Sequence, residues 1–274
     1  MYNKEVEKIK NPISVLLMGQ KGIPLLEDAF SYASLILRIE EKSLKNHPDF
    51  LFLTPGSSTM GVEEAAQAVS FCFMKPSRAA FMVVLIDRID QMTVHGQNKL
   101  LKQLEDCPHV RFILTAESNR VLETVKSRVS VFQYSPMQEE VFLSQTGAEK
   151  LDYQITGGCP GFMKEDWYPA VKEIFKDTGM AVQQGNYQEL FVLLHLVKEK
   201  DPENFFSLYP ELVKNLYDFI GTAIMSGGSS SDEDYNRVKT LTKHMTACTE
   251  PFYTKEWFFL CIAELKGGTC NEFI

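Results

Sequence analysis

The sequence predicts an α/β protein in which a parallel sheet carries helices on both faces and an all-helical part follows it. Three observations predict this fold class. Five short apolar runs alternate with helical patterns in the first half of the 274-residue chain, a glycine-containing turn joins the first run to the first helical pattern, and no further strand pattern occurs after Tyr134. Strands and helices that alternate in this way form parallel sheets covered on two sides.

Five runs of β-branched, aromatic and other apolar residues predict the strands. They are apolar at successive positions rather than at every second one, which is typical of strands buried on both faces. In chain order, the predicted strands are Ile13–Met18, Phe50–Leu53, Phe81–Ile86, Val110–Thr115 and Val129–Tyr134.

Apolar residues at helical spacing predict helices between these strands and throughout the rest of the chain. The helices between strands are expected at Leu25–Glu41, Val62–Phe73 and Val94–Leu104. After the last strand, helical patterns cover Gln138–Leu151, Ala170–Phe175, Tyr187–Lys200, Phe205–Met225 and Asp234–Thr246. Two glycine-rich segments interrupt them, namely Gly157–Gly161 and Gly227–Asp232.

Net charge and hydropathy argue against several classes of protein. A net charge of −8 argues against a protein that coats nucleic acid, although a local basic patch is compatible with it. No apolar stretch approaches the roughly 20 residues that span a bilayer, and the charged N-terminus lacks the apolar segment of a signal peptide. We therefore expect a cytoplasmic protein with no membrane contact. The six cysteines form no CxxC pair, which predicts that no zinc or other metal is bound.

The turn Gly19–Leu26 stands where a nucleotide-binding protein would carry a phosphate loop of the form GxxxxGK[ST]. Such a loop wraps phosphates with backbone N–H groups, and its lysine and hydroxyl reach the outer phosphates and Mg²⁺. Counting from the first glycine, Pro24 replaces the second glycine, Leu25 the lysine and Leu26 the hydroxyl residue, and Lys21 is in the wrong frame to substitute. Proline has no N–H, and leucine offers neither charge nor metal ligand. The turn is therefore predicted to bind no nucleotide, as a degenerate loop of Gly19, Gly22, Pro24, Leu25 and Leu26.

The run Phe81–Ile86 is followed by an acid, Asp87, at the point where such folds place a Mg²⁺ ligand beside the phosphates. A catalytic ATPase usually has a second acid next to it, which positions the attacking water. Arg88 occupies that position here. We therefore expect Asp87 and Asp90 to cap the following helix and organise the loop rather than to bind a metal.

Four ordered segments carry a specific resemblance to a known family. They are HPDFLFLTP (47–55), LIDRIDQMT (85–93), NKLLKQLEDCP (98–108) and FILTAESNRVLETVKSR (112–128). In sequence and spacing they resemble the clamp-loader branch of the AAA+ family, and within it the delta-prime subunits of bacterial DNA polymerase III. The resemblance covers roughly residues 10–165; beyond them only helical character and length agree.

This resemblance implies a P-loop NTPase-like (AAA+) fold in three parts. An α/β domain with the degenerate phosphate loop is expected at residues 1–136, a small helical lid domain at 137–168, and a helical C-terminal collar domain for oligomerisation at 169–274. Phe162 and Met163 stand where active members carry a second sensor arginine, so that function is expected to be absent. The short segment Arg38–Asn46 contains no cysteine, whereas many relatives carry a zinc module there.

The resemblance also implies a division of labour between subunits. Clamp loaders are rings or spirals in which some subunits bind ATP against a neighbour, whereas delta-prime subunits often bind none and present an arginine to the ATP of the adjacent subunit. The Ser-Arg-Cys motif of the family corresponds here to Ser127, Arg128 and Val129, so Arg128 aligns with the arginine that acts in trans. A guanidinium suits a γ-phosphate because its charge is fixed and its donors form a planar fork.

The partners implied by this resemblance are tau/gamma-type ATPase subunits and the delta subunit of the clamp loader. The sliding clamp and primer–template DNA would be contacted through the complex. The isolated chain is expected to have no cofactor and no activity of its own, and to belong to a DNA-directed DNA polymerase only by association.

Several residues keep simpler interpretations at this point. Arg128 has the alternative of a surface ion pair, and Lys99 and Lys102 are either a solvated helix face or contacts to DNA phosphates. Thr115 and Asn119 align near the polar residue that senses γ-phosphate in active relatives, but we expect them to satisfy local backbone groups.

The chain as a whole has two rival functions. One is a divergent active AAA+ ATPase that uses Asp87 and Lys21 in an unusual loop. The other is a DNA-repair accessory protein that reuses the AAA+ frame, which the acidic net charge disfavours. Binding of Mg-ATP by the lone chain distinguishes the first rival, and salt-dependent DNA binding by the monomer distinguishes the second.

Overall fold

A computed structural model of the chain describes residues 13–56, 59–166 and 168–183, together with Asn215, Phe219 and Asn236. The chain divides into two compact units, Met1–Pro136 and Met137–Ile274. Each unit is described by itself below. The further division of the second unit into a lid and a collar at residue 168 stays a prediction.

The first unit is built on a five-stranded parallel sheet with the strand order β2-β3-β4-β1-β5. This confirms the predicted fold class. Every predicted strand is present, and the strand ends differ from the predicted ones by at most two residues. The strands are β1 (Val15–Met18), β2 (Phe50–Leu53), β3 (Met82–Ile86), β4 (Val110–Ala116) and β5 (Ser130–Gln133).

The register of the sheet gives it two chemically distinct edges. In β1, which lies between β4 and β5, Val15 lies opposite Ser130 of β5, and Met18 lies opposite Gln133. Since all strands are parallel, every strand ends at one edge, here called the carboxyl edge, and begins at the other, the amino edge. The degenerate loop and Asp87 follow strand ends at the carboxyl edge, whereas Arg128 precedes β5 at the amino edge.

Four α-helices belong to the described part of the first unit. They are α1 (Leu25–Leu37), α2 (Val62–Cys72), α3 (Val94–Asp106) and the single turn α4 (Glu123–Lys126), with 3-10 turns at Glu41–Asn46 and Ile89–Gln91. The sequence pattern extended α1 to Glu41, but the helix ends at Leu37. The cause is Arg38, which adopts a left-handed conformation with φ 57° and donates its backbone N–H to the Ser34 carbonyl.

The core of this unit lies between the sheet and its helices. All five residues of β3 are buried, which explains why its sequence is apolar at every position. On α3, Leu100 is fully buried while Leu101 and Leu104 pack partly buried against the same core. The helix therefore docks on the sheet through one face and leaves its charged face to solvent.

The described part of the second unit is helical. It contains α5 (Glu139–Thr146), α6 (Lys150–Thr156), a 3-10 turn at Pro160–Lys164 and α7 (Tyr168–Gln183). The prediction of one continuous helix over Gln138–Leu151 was wrong. Gly147 adopts φ 67° and ends α5 with a bond from its N–H to the Leu143 carbonyl, so that a new helix starts after it.

A buried carboxylate joins α6 to α7 within the second unit. Asp152 is 4% exposed and accepts hydrogen bonds from the Tyr168 hydroxyl, from Lys172 Nζ at 2.7 Å and from the Glu149 backbone N–H at 2.8 Å. Burial opposes ionisation of Asp152, but these hydrogen bonds outweigh it and lower the pKa of the carboxyl. The charged form therefore stabilises this helix pair.

The remaining predicted helices, at Tyr187–Lys200, Phe205–Met225 and Asp234–Thr246, and the loop Gly227–Asp232 lie outside the described residues apart from Asn215, Phe219 and Asn236. Within the part of the chain that the structure covers, no helix combines the length and apolar character needed to cross a membrane.

Candidate functional site

Apolar side chains pack inside the degenerate loop at the carboxyl edge. A Cβ atom added to Gly19 would lie 3.2 Å from Ile23 Cδ1 and 3.4 Å from Leu25 Cδ2. Ile23 and Leu25 are 5% and 4% exposed. Leu25 occupies the position at which a working loop directs its lysine to the phosphates, and here that side chain points into the core. Apolar side chains therefore pack against Gly19 at the start of the loop.

The backbone of this loop is committed to internal hydrogen bonds. The Ile23 N–H donates to the Gln20 carbonyl at 3.2 Å, and the Leu25 N–H donates to the Ile23 carbonyl at 2.8 Å. Pro24 lies between them and has no N–H. A phosphate loop works because several N–H groups converge on one anion. The Ile23 and Leu25 donors are instead paired inside the turn.

Asp87 is buried at the end of β3 and is bound by hydroxyl groups. Thr115 donates to Asp87 Oδ1 at 2.8 Å, and Thr54 donates to Oδ2 at 3.0 Å. The Thr115 oxygen also accepts the Arg88 backbone N–H at 2.8 Å, so one hydroxyl joins the carboxylate to the backbone that follows it. Arg88 itself adopts φ 48°. These contacts hold the ends of β2, β3 and β4 together.

The expectation that Asp87 and Asp90 cap the following helix was wrong. Thr93 is the N-cap of α3, and its hydroxyl accepts the Gly96 N–H at 3.2 Å. Asp90 accepts instead from the Ser118 hydroxyl at 2.7 Å and from the Glu117 N–H at 3.3 Å. Asp90 thus organises the loop after β4. A threonine one residue before the helical pattern was the sequence signal for the real cap.

Glu117 completes the charged part of the carboxyl edge. Burial raises the pKa of its carboxyl above the ordinary value, while the positive charges of Arg88 and Lys21 oppose the rise. Lys21, which lies in the degenerate loop, is therefore close enough to stabilise a carboxylate of its own chain. Among the described residues, no group of three or more His, Cys, Asp or Glu side chains is arranged to hold a metal ion.

Arg128 lies at the amino edge, between α4 and β5. Its Nε and Nη2 both donate to Glu105 Oε2, at 3.0 and 2.9 Å, and its Nη1 donates to the Thr124 carbonyl at 3.0 Å. The Arg128 side chain is 32% exposed and that of Glu105 is 62% exposed. In the isolated chain Arg128 therefore makes the surface ion pair that was its simpler interpretation.

The residues around Arg128 form an open polar groove of about 430 Å³. Ser127, Ser130 and Arg111 line it together with Arg128. The Ser127 hydroxyl donates to the Thr124 carbonyl at 3.1 Å, which shapes the turn that leads out of α4. The Arg111 guanidinium stacks 3.9 Å above the centre of the Phe81 ring. The groove thus contains two guanidinium groups.

Gln97 of α3 is a positioning residue that the sequence did not reveal. It is 1% exposed, and its Nε2 donates to the carbonyls of Ile89, Met92 and Arg120 at 3.1–3.3 Å. Its Oε1 accepts the Leu122 N–H at 2.9 Å. Gln97 thereby ties α3 to the segment that begins α4 and leads to Arg128. A lone glutamine on a helix pattern gives no sequence signal for such a role.

The other polar residues that the sequence singled out are placed as follows. Lys99 and Lys102 are exposed on α3. Asn119 accepts a hydrogen bond from Lys126 Nζ at 2.6 Å, a side-chain contact rather than the expected backbone one. In the second unit, Phe162 is buried and Met163 is half-buried. That these two residues replace a sensor arginine stays a prediction.

The two sites lie at opposite ends of neighbouring parallel strands. The degenerate loop follows Met18, whereas Arg128 precedes Ser130, which is paired with Val15. The four residues of β1 separate these levels by about 13 Å at the rise of a strand. Arg128 therefore cannot reach a ligand held at the loop of its own chain.

A protein-family model described as "DNA polymerase III, delta subunit" matches residues 1–138. This is about half of the chain and includes both edges of the sheet and Arg128.

Sequence similarity to curated proteins points to the same family. The DNA polymerase III delta-prime subunits of Escherichia coli and Bacillus subtilis are 26% and 28% identical over 54% and 50% of this chain, and the matches cover 49% and 46% of those proteins. The DNA polymerase III gamma subunit of a Buchnera aphidicola subspecies is 35% identical over 34% of this chain and 26% of its own length. The chain thus spans about half or less of the length of these relatives.

A solved structure gives the same fold. The crystal structure of a DNA polymerase III gamma subunit-related protein from Thermotoga maritima superposes with a TM-score of 0.54 at 15% identity. The superposition covers 96% of this chain and 97% of that protein. At this identity the similarity is one of fold.

Proposed function

This chain belongs to the DNA polymerase III delta-subunit family, in the clamp-loader branch of the AAA+ proteins, and we propose that it serves there as a delta-prime-like subunit that binds no ATP itself. In this proposal Arg128, with Ser127 shaping its turn, acts in trans on ATP held by a neighbouring subunit during sliding-clamp loading.

The observation that carries the proposal is the placement of the two sites at opposite edges of one sheet. Ile23 and Leu25 fill the loop that would hold a triphosphate. The partly exposed arginine lies at the level where β5 begins, about 13 Å from the loop when measured along the strands. An arginine in that place has a use in phosphoryl transfer only if the phosphate belongs to another chain.

The chemistry required of Arg128 is charge stabilisation. Negative charge spreads over the γ-phosphoryl oxygens in the transition state, and a guanidinium placed beside them in advance stabilises it. Arginine remains protonated at any physiological pH, so no proton has to move for it to act. Its planar fork can bind two oxygens at once.

The partners follow from this role and from the named relatives. A tau/gamma-type subunit would present its ATP to the groove around Arg128, and the delta subunit would contact another face. The sliding clamp and primer–template DNA would be reached through the complex, in the cytoplasm where the chromosome is copied. No observation in the described residues favours the two rival functions, a divergent ATPase or a DNA-repair accessory protein.

The experiment that tests the proposal is Arg128→Ala in a reconstituted clamp loader. At the ATP site completed by this chain we expect hydrolysis to fall by roughly 10³-fold, by analogy with arginines that act in trans elsewhere. DNA-stimulated hydrolysis and clamp loading are the readouts. Arg120→Ala removes an exposed arginine from the same segment and serves as the control. Unchanged hydrolysis and loading with Arg128→Ala would refute the trans-arginine role.

A further inference from the structure

We propose that Glu105 is a positioning residue for Arg128: it holds one edge of the guanidinium so that the terminal donors are directed to an anion on the neighbouring subunit. The inference rests on the proposed function of Arg128 and adds the residue through which this chain orients it. Nothing in the sequence pattern joined the two residues, which are 23 positions apart.

The hydrogen-bond count of the guanidinium supports this role. A guanidinium has five N–H donors. Glu105 Oε2 takes the single donor of Nε and one donor of Nη2, and the Thr124 carbonyl takes one donor of Nη1. One donor on Nη1 and one on Nη2 therefore remain for a phosphate. Both are at the tip of a side chain that is 32% exposed.

Prior orientation matters because an arginine side chain has many rotamers. An arginine that is free to rotate loses that freedom when it binds a phosphate, and this loss weakens the contact in the transition state. Glu105 Oε2 and the Thr124 carbonyl contact the guanidinium from two elements, α3 and α4, and so restrict it before the neighbour arrives. The loss of side-chain entropy when Arg128 binds a phosphate is correspondingly smaller.

Glu105 on α3 contacts Arg128 through its side chain. It lies in the last turn of the helix, where a negative charge interacts unfavourably with the helix dipole. At the first turn of the same helix, Gln97 binds the Arg120 carbonyl and the Leu122 N–H. Helix α3 is thus attached to the Arg128 segment at both ends, and Glu105 is the attachment that touches the guanidinium.

The test is a double-mutant cycle in the reconstituted clamp loader. We expect Glu105→Ala to lower kcat for ATP hydrolysis by about twofold to fivefold, the range expected of an exposed ion pair, with KM for ATP unchanged. Glu105→Gln keeps an acceptor oxygen and should lose less. In an Arg128→Ala background, Glu105→Ala should have no further effect, because it acts through that arginine.

The matched control is Glu123→Ala, which removes an exposed carboxylate paired with Lys126 at 2.8 Å and leaves Glu105 in place. An unchanged or increased kcat in Glu105→Ala overturns the inference, as does an equal loss in the Arg128→Ala background. If Arg128→Ala alone leaves hydrolysis unchanged, both the proposed function of Arg128 and the inference about Glu105 are overturned. If Arg128→Ala is defective and Glu105→Ala is not, this inference alone is overturned.

Discussion

The carboxyl and amino edges of the same sheet have opposite chemistry. At the carboxyl edge, the carboxylates of Asp87 and Asp90 accept hydrogen bonds from hydroxyl groups of the same chain. The side chains of Ile23 and Leu25 pack inside the degenerate loop. At the amino edge, Arg128 is partly exposed and keeps two unused donors. The difference indicates that the polar groups of the carboxyl edge hold the chain together, whereas Arg128 at the amino edge keeps donors that face solvent. Substitutions at the two edges should therefore differ in what they damage.

The largest effect should come from restoring a lysine to the degenerate loop. Leu25→Lys places a cation in a site that is 4% exposed, and we expect the free energy of unfolding to fall by about 3 kcal/mol or more. It should not create ATP binding, because Pro24 remains and the Ile23 and Leu25 N–H groups stay paired inside the turn. Chemical denaturation and titration with Mg-ATP measure the two outcomes.

Leu26→Ser is the control for that experiment, since Leu26 is only partly buried and occupies the hydroxyl position of the motif. Its effect on stability should stay under about 1 kcal/mol. A Leu25→Lys variant that is as stable as the parent and binds Mg-ATP would show that the carboxyl edge is not closed.

A smaller loss is expected from Thr115→Val. The substitution keeps the shape of the side chain but removes the hydroxyl that joins Asp87 to the Arg88 N–H. A buried acceptor and a partly buried donor are left without this partner, so the free energy of unfolding should fall by about 1–3 kcal/mol. Denaturant unfolding measures it, and the exposed Thr124→Val should change stability by no more than about 0.5 kcal/mol. Equal effects of the two variants would contradict the structural role of Thr115.

Glu117 makes the carboxyl edge sensitive to pH. Because burial raises the pKa of Glu117 in the folded state, its ionisation destabilises the fold as the pH rises through that raised pKa. Glu117→Gln mimics the neutral form, so it should increase the free energy of unfolding at neutral pH. The gain should vanish below the ordinary pKa of a glutamate, where both states of the parent are protonated. Unfolding measured across pH 3–8, about the range in which carboxyls titrate, tests this; a gain that persists in acid would contradict it.

The smallest effect on stability should come from the residue with the largest proposed effect on activity. Arg128→Ala breaks a surface ion pair with Glu105, and such pairs contribute about 0–1 kcal/mol. We expect thermal unfolding of the isolated chain to be almost unchanged. A loss of several kcal/mol would mean that Arg128 has a structural role and that defects of this variant in the complex reflect misfolding.

The sequence predicted the sheet, but it did not predict the side-chain contacts between residues that are distant in the chain. The strands could be predicted because runs of β-branched and apolar residues indicate strands that are buried on both faces, as in β3. The end of α1 was missed because Arg38 adopts a left-handed conformation that sequence patterns assign to glycine. Gly147, by contrast, was a visible helix terminator that the prediction passed over.

That the loop binds no nucleotide stays a prediction from three substituted positions, Pro24, Leu25 and Leu26, since each lost group has a known task. The packing of apolar side chains inside the loop could not be predicted from the sequence, because it depends on the position of the Ile23 side chain in the fold. The partners of Gln97 and Arg128 were also hidden. Each lies on another element, and no periodicity relates an arginine to a carboxylate 23 residues away.

The most direct test of the central claim is calorimetric titration of the purified chain with Mg-ATP, with an ATP-binding clamp-loader subunit as the positive control. We expect no heat of binding up to millimolar nucleotide, because the Ile23 and Leu25 side chains pack inside the loop and their N–H groups are paired within it. A micromolar dissociation constant for the chain alone would contradict it.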